Sequence, residues 1–483
     1  LTTGQIEDSR RQLAVALGAT SLLVAIMWYA PGAGGEGLTP ELMFAALPLV
    51  IGIAWIYPVE VALVFIAATM FRVHEAYPIL VPYRIPLVTA SLALLAVSMH
   101  LAARNMSLPW RPELKLALLL AAHVTFGMLF GVNRPNSFEN WPDALGKQVA
   151  GMVFLAMILR LPRDAMRVAM VLVFASMLIS FVAIYNQLNG IDLVEGNRVS
   201  IGREMKSVLG DPNDLCFALM FPVAFAVAAV LTRGVSTGVR TLCLIALSAM
   251  LWAIIATKSR GGVMATVVVF GFLFAVLRNA RMSSMALAAI GGVLLYIVAG
   301  IGERNYGMGA TDAIDASALG RVEAWKAAVR MALVYPVFGV GLNNFTQLYY
   351  FYSDFWDGRA YATHSIWFQV LADAGFVGAG LFIAMVTVSI RSAWRSMRRL
   401  LVSDAPAEVK ALAASIVASW LGVCVAGSFL SQAFSWQIFT LVALTAVLSR
   451  HVTETYPEGT GGPGPATTGV HEPSTNVPAT AAR

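Results

Sequence analysis

A histidine stands where two kinds of sequence meet. Thr363-His364-Ser365 closes the polar stretch 302–363 and opens a long apolar run. The stretch carries Glu303, Arg304, Asp312, Asp315, Arg321, Glu323, Lys326, Arg330, Asp354, Asp357 and Arg359, between runs almost free of charge. An imidazole titrates near neutrality, so a His at the lip of an apolar helix can take a proton from a hydroxyl group. The same position also suits a plain helix cap or a contact to a lipid headgroup. Upstream lie Arg198, Arg203 and Lys206, then Lys258 and Arg260. A guanidinium is permanently charged, and its forked donors match a phosphate. Gly210-Asp211-Pro212-Asn213-Asp214 follows the first three cations and reads as a turn and helix start, with Pro near the first helical position. Lys258-Ser259-Arg260-Gly261-Gly262 joins two apolar runs with almost no loop, and its glycines let backbone or ligand approach closely. Pairing of these cations with Glu195, Glu204, Asp211 or lipid phosphates is the competing reading.

The elements that hold these residues are membrane helices. Of 483 residues, 58% are hydrophobic and 12% charged, where a soluble protein has roughly a quarter charged. Apolar runs recur at approximately 12–30, 41–57, 59–70, 85–103, 114–132, 145–160, 167–187, 214–232, 241–256, 261–278, 284–301, 365–390, 409–427 and 434–449. They are continuous, so helices are expected rather than a barrel of alternating strands. Pro58 splits two short runs into an expected tight pair. The expectation is an all-α polytopic membrane protein with about twelve full transmembrane helices plus that pair. Run 12–30 reads as a retained first helix, and the Pro-, Gly- and Thr-rich tail 451–483 as disordered. The chain divides into 1–301, the large loop 302–363, 364–450 and the tail.

Alternate loops hold the arginines. Examples are Arg104 and Arg111, Arg160 and Arg163, Arg233 and Arg240, and Arg391 through Arg399. By the positive-inside rule these face the cytoplasm, which puts 302–363 on the outer side. Arg198, Arg203, Lys206, Lys258 and Arg260 then lie on the side where cations are disfavoured, and a need for positive charge is implied. The net charge of +6 is spread over short loops and reads as topology, not as a nucleic-acid surface. Cys216, Cys243 and Cys424 form no CxxC pair, so neither disulfide nor zinc site is expected. No Asp-x-Asp pair lies on the outer side. Asp211 and Asp214 share a helix face, one of them as a cap, and no metal or cofactor is expected. His74 and His123 are lesser candidates for a base, and His100 and His451 fall on the cytoplasmic side.

Within the loop, Gly320-Arg321-Val322-Glu323-Ala324-Trp325 belongs to an amphipathic helix from Ser317 to about Val334. Val322, Trp325, Val329 and Ala332 make its apolar face, suited to the bilayer surface. Tyr335-Pro336-Val337-Phe338-Gly339-Val340-Gly341 follows, and then an aromatic cluster, Tyr349 to Tyr352 with Phe355 and Trp356. The Arg-bearing loop ending in Gly210-Asp211-Pro212-Asn213, the Ser259-to-Gly262 junction, the Arg321-to-Trp325 helix, the Tyr335-to-Gly341 turn and the stretch His364 to Gly378 together form a set that resembles the O-antigen ligase and polymerase superfamily. The likeness spans about residues 40 to 450 and is most specific in 196–215, 258–262 and 320–380. The stretch Phe71 to Arg84 and the Gly-Asp-Pro-Asn-Asp form of the turn also look like a branch of O-glycosylation ligases.

The resemblance implies an inner-membrane glycosyltransferase of GT-C-like fold with a large periplasmic loop. It implies transfer of a glycan from undecaprenyl pyrophosphate to a lipid A–core, glycan or protein acceptor. His364 is then the catalytic base. Arg198, Arg203 and Arg260 bind the donor diphosphate, with Arg321, Lys206 and Lys258 in support. Arginines in place of a metal stabilise the leaving group. With no carboxylate nucleophile in reach, direct displacement and inversion are expected. A secondary anion transporter is the competing class. Transporters hold ionisable residues near the midplane, whereas here they gather at one face.

Overall fold

The computed structural model describes residues 49–72, 75, 77, 85–102, 108–159, 163–205, 207–278, 289–293, 312–354, 356, 358 and 360–457. The expected first helix 12–30, most of the run 284–301, His74, Lys206 and residues 458–483 lie outside the described residues. The described chain is mostly helical, and its one small sheet pairs Leu193–Val194 (β1) with Arg198–Val199 (β2). In order, the helices used below are α1 (Leu49–Ile56), α2 (Pro58–Met70), α3 (Ile85–Ala102), α4 (Pro112–Gly127), α5 (Arg134–Trp141), α6 (Lys147–Ile158) and α7 (Arg163–Asn189). They continue as α8 (Pro212–Leu231), α9 (Thr237–Thr257), α10 (Arg260–Leu277), α11 (Asp312–Val334), α12 (Phe345–Tyr352), α13 (Ile366–Val402), α14 (Ala407–Gly427) and α15 (Trp436–Thr455).

Six described helices are long and apolar enough to cross a bilayer, or seven if α1 and α2 count as one broken span. That is fewer than the about twelve expected from the apolar runs. The run 12–30 and most of the run 284–301 lie outside the described residues and are not in that number. Part of the difference has a local cause. The run from 145 is served by the 12-residue α6, which follows a π-turn at Pro142–Gly146, and α4 has only 16 residues. The pair split by Pro58 is not a tight hairpin. Its halves meet at 97°, since Pro58 removes a backbone donor and starts a new helix. At the far end α15 continues through Thr455, beyond the boundary expected at 451.

α8 is the centre of the bundle. Its window is 89% buried, as fits a helix that is apolar on every side. It packs on α9, α10 and α14, while α13 packs on α4, α11 and α14. α10 comes close at Gly262, where an added Cβ would lie 2.0 Å from the Cys216 sulfur. Small residues permit such backbone approach where apolar burial alone gives little drive between helices. All three cysteines are free.

The loop segment has a small core of its own. Ala324, Ala327, Ala328 and Met331 of α11 pack with Val340, Phe345, Tyr349 and Ala372. The buried stripe of α11 is therefore mainly alanine, which lets the helix lie close to α13. Val322, expected on the apolar face, is 41% exposed. Arg330 holds α11 to the chain after α12, donating to the Tyr352 carbonyl at 3.0 Å and pairing with Asp354.

α13 is broken at Gly375, which has φ +69° and ψ −172°. The Pro336–Val340 turn fills the break. Phe376 N–H donates to the Pro336 carbonyl and Val340 N–H to that of Ala372, each at 2.8 Å. His123, on α4, places Nε2 3.1 Å from both the Val337 and Ala374 carbonyls. The two Gly-bearing motifs read separately in the sequence are thus halves of one joint. This joint ties the loop segment to the helix that His364 precedes.

Candidate functional site

His364 is held at the start of α13 in the left-handed region, with φ +46°. A non-Gly residue there costs about 1–2 kcal/mol, so local bonds must hold it. Its N–H donates to Ser431 Oγ at 2.8 Å, and Thr363 Oγ1 shares a bond with the same hydroxyl at 2.9 Å. On the other side Trp325 Nε1 donates to the Thr363 carbonyl at 2.9 Å. The Trp325 ring stacks on Phe368, with centroids 5.1 Å apart. A strained backbone fixed from two elements is a frequent mark of functional sites.

The ring is half-buried. Burial holds the His364 pKa below the ordinary 6.5, and the Arg321 guanidinium lowers it further, while the Asp211 carboxylate pulls the other way. The imidazole is therefore neutral at pH 7 and able to accept a proton. Arg321 stands over the Phe429 ring, 5.9 Å from its centroid. An added Cβ on Gly261 would lie 3.4 Å from the Phe429 Cβ and Cδ2. Phe429 thus lies between Arg321 and the start of α10, where Arg260 is exposed.

The remaining predicted cations have different placements. Arg203 is exposed, and its backbone packs on Gly210, next to Asp211. Lys258 caps α9 with φ +49° and is half-buried. Arg198 is only 4% exposed. Its Nε donates to the Thr257 carbonyl at 3.0 Å and its Nη2 to Asn213 Oδ1 at 2.8 Å. It braces the end of α9 against the start of α8 and offers little surface to a ligand. Asp211 is the N-cap of α8, accepting from the Asn213 and Asp214 N–H groups. Asp373 sits deeper, against the backbone N–H groups of Asn343 and Phe345, and serves the turn after Val340.

One loop joins these parts, and no spaced motif marks it in the sequence. Residues 428–433 open the eight-residue link, 428–435, from α14 to α15. Ser428 accepts from Trp367 Nε1 at 3.0 Å, and Ala433 N–H donates to Gln369 Oε1 at 2.9 Å. Gln432 bonds the Asp214 carboxylate. Ser431 holds His364 as described. Behind this loop lies a cavity of about 800 Å³, lined in part by Ser431, Gln432, Asp214 and Gln369. The segment is short, uncharged and flanked by apolar runs. The only signal is a cluster of hydroxyls and amides, Ser428, Ser431, Gln432 and Ser435, where an ordinary turn would carry Gly or Pro.

Together these groups supply a neutral base, a guanidinium beside it, an exposed arginine on the adjoining helix start, and a neighbouring cavity lined by both apolar and polar side chains. That set suits transfer from an anionic donor to a hydroxyl. The sequence model of the O-Antigen ligase family matches residues 245–383, from α9 through the first half of α13. The match includes Arg260, Arg321 and His364 and supports membership of the O-antigen ligase superfamily. Comparison with curated proteins gives no match.

Proposed function

We propose that the chain is a glycosyltransferase of the bacterial inner membrane, with His364 and its surroundings facing the periplasm. It moves a glycan from undecaprenyl pyrophosphate to an acceptor hydroxyl, as an O-antigen ligase does with lipid A–core. The observation that carries this reading is the neutral His364, locked by Ser431 and Trp325, beside Arg321 within the family-matched segment. Polymerisation of repeat units or ligation to protein uses the same chemistry with another acceptor.

In this reading the His364 imidazole takes the acceptor proton as the acceptor oxygen bonds to the anomeric carbon. The bond from that carbon to the phosphate oxygen breaks, and its electron pair leaves with the lipid pyrophosphate. Charge growing on that leaving group is met by Arg260, Arg203 and Arg321, while Arg198 braces the frame under them. Preorganised cations of this kind stabilise charge as it develops. Asp211 and Asp214 are engaged in capping α8 and in bonding Gln432, so the charge work is assigned to the guanidinium groups and not to a metal. A single displacement inverts the anomeric centre, and Asp373, engaged by backbone donors, is not offered as a nucleophile.

His364→Ala tests the reading. The purified variant should bind the donor lipid and lose transfer by roughly 10² to 10⁴. Near-normal turnover with intact expression, or product with retained configuration, would overturn it.

A further inference from the structure

A second cavity lies at the far end of α13 from His364. Its volume of about 370 Å³ falls within the range of about 300 to 1,000 Å³ usual for small-ligand sites. We infer that it binds the phosphate of an anionic phospholipid whose headgroup carries hydroxyls and no ammonium. The inference rests on no part of the transferase reading.

Three helix ends build the wall. Arg111 is the N-cap of α4. Ser392, Arg395, Ser396 and Arg399 recur at three- and four-residue spacing, so they share one face of α13. α15 adds Ser449 and Thr453. These two aim Arg111: its Nε donates to Ser449 Oγ at 3.1 Å and its Nη2 to Thr453 Oγ1 at 3.3 Å. Ser449 Oγ donates in turn to Glu113 Oε1 at 2.6 Å, and Ser392 Oγ donates to the same carboxylate. Glu113 is fully buried and stands behind the wall, where it orders the hydroxyls and, through Ser449, the guanidinium.

The guanidinium groups of Arg111, Arg395 and Arg399 thus line one cavity, and its described wall holds no carboxylate. Like charges held together are unfavourable without an anion between them. Arg395 is exposed and makes no hydrogen bond or ion pair among the described residues. Ser396 is only 4% exposed. It makes no hydrogen bond among the described residues, and its Oγ is not sealed from the surface. Buried polar groups rarely go unbonded, so a ligand that fills the cavity has a cation and a hydroxyl ready for it.

The surroundings favour a lipid over a soluble phosphate. Trp110 adjoins Arg111, Trp394 adjoins Arg395, and both rings are exposed. Tryptophan gathers at the headgroup level of a bilayer, and the positive-inside rule assigns this arginine-rich end to the cytoplasm. The leaflet there has a negative surface. A zwitterionic lipid would bring an ammonium, for which the described wall has no carboxylate. A glycerol headgroup brings hydroxyls to Ser396 instead.

Arg395→Gln/Arg399→Gln removes two charges from the wall. Arg391→Gln/Arg398→Gln removes two from exposed positions on the same helix that are not on the wall. The full chain, stripped of lipid in neutral detergent, is titrated with phosphatidylglycerol, phosphatidylcholine and glycerol 3-phosphate, and binding is read by native mass spectrometry. The wild type should bind phosphatidylglycerol about tenfold or more tighter than phosphatidylcholine. The wall pair should lose about tenfold or more of that affinity, and the other pair less than about twofold. If the wall pair does not fold, Arg395→Gln alone breaks no bond among the described residues and should still lose about threefold or more. The inference is overturned if the two pairs lose affinity alike or if phosphatidylcholine binds as well as phosphatidylglycerol. It is also overturned if glycerol 3-phosphate binds as tightly as the lipid, which would leave a soluble-phosphate site.

Discussion

Removing the Ser431 hydroxyl should cost turnover without touching any group that transfers a proton or meets the donor. In Ser431→Ala the His364 N–H loses its acceptor at 2.8 Å, and Thr363 Oγ1 loses its bond at 2.9 Å. An unmade bond to a buried donor costs about 1–3 kcal/mol. The left-handed backbone at His364 already stores about 1–2 kcal/mol. A shift of about 2 kcal/mol against the working conformer lowers its population by about thirtyfold. Turnover should fall by that order, while acceptor KM moves less. The acid limb of the pH profile should stay where it is, because Arg321 and Asp211 are unchanged. Ser431→Thr keeps the hydroxyl and should recover most of the loss. The assay is single-turnover transfer with purified protein and lipid-linked glycan, followed across pH. Turnover within about twofold of wild type in a well-expressed Ser431→Ala protein would refute the reasoning. Equal failure of Ser431→Thr would do the same.

Other perturbations separate the remaining parts. Arg321 lowers the His364 pKa, so Arg321→Gln should raise it and move the acid limb of kcat/KM to higher pH. Asp211→Asn keeps a capping side chain and should move the limb the opposite way, and a limb that ignores both changes would remove His364 as the titrating base. Gly375→Ala places a side chain at φ +69°, 2.6 Å from the Pro336 carbonyl oxygen. It should lower stability by at least about 1–3 kcal/mol in thermal unfolding, and an unchanged midpoint would mean that the joint is not rigid. Arg198→Ala strips the Thr257 carbonyl and Asn213 of a buried partner. It should lower thermal stability more than it lowers donor affinity, and the reverse order would return Arg198 to the diphosphate.

Much of the site was legible because its backbone demands special residues. Gly210-Asp211-Pro212-Asn213 announced a helix start, and Asp211 is the cap. Ser259 and Gly262 announced a tight junction, and Ser259 accepts from Gly262 N–H at 3.4 Å. Tyr335-to-Gly341 and Ala372-to-Gly375 carried glycines for a reason, although nothing in either segment said that they fit each other. Charge was less well read. Arg198 matched the pattern of an outer-face phosphate ligand, yet its guanidinium is consumed by the Thr257 carbonyl and Asn213. Sequence position gives a cation's side of the membrane but not its depth in the packing. The face of α11 was read in part: Ala332 is buried and Trp325 half-buried, but Val322 is exposed. Val322 is bulkier than Ala324 or Ala327, but close packing on α13 selects the small residues. The 428–433 loop was missed because hydroxyls and amides act there through tertiary contacts, with no spacing rule along the chain.

That loop also bears on the proposed transfer, in which two unlike substrates meet at one base. A diphosphate needs concentrated positive charge, and a sugar hydroxyl needs a neutral wall that competes with water. Placing both in one cavity would set the arginines against the base, since each added cation lowers the readiness of an imidazole to hold a proton. Here Arg321 alone among the cations perturbs His364, and Asp211 opposes it. Phe429 and Ser431 stand two residues apart, Phe429 beneath Arg321 and Ser431 on the cavity wall with the His364 backbone bonded to it. The uncharged residues 428–433 thus touch the Arg321 side of the site through Phe429 and fix the His364 backbone through Ser431. Inserting a charge into that turn, as in Gln432→Lys, should impair transfer even though no proposed ligand of the diphosphate is altered.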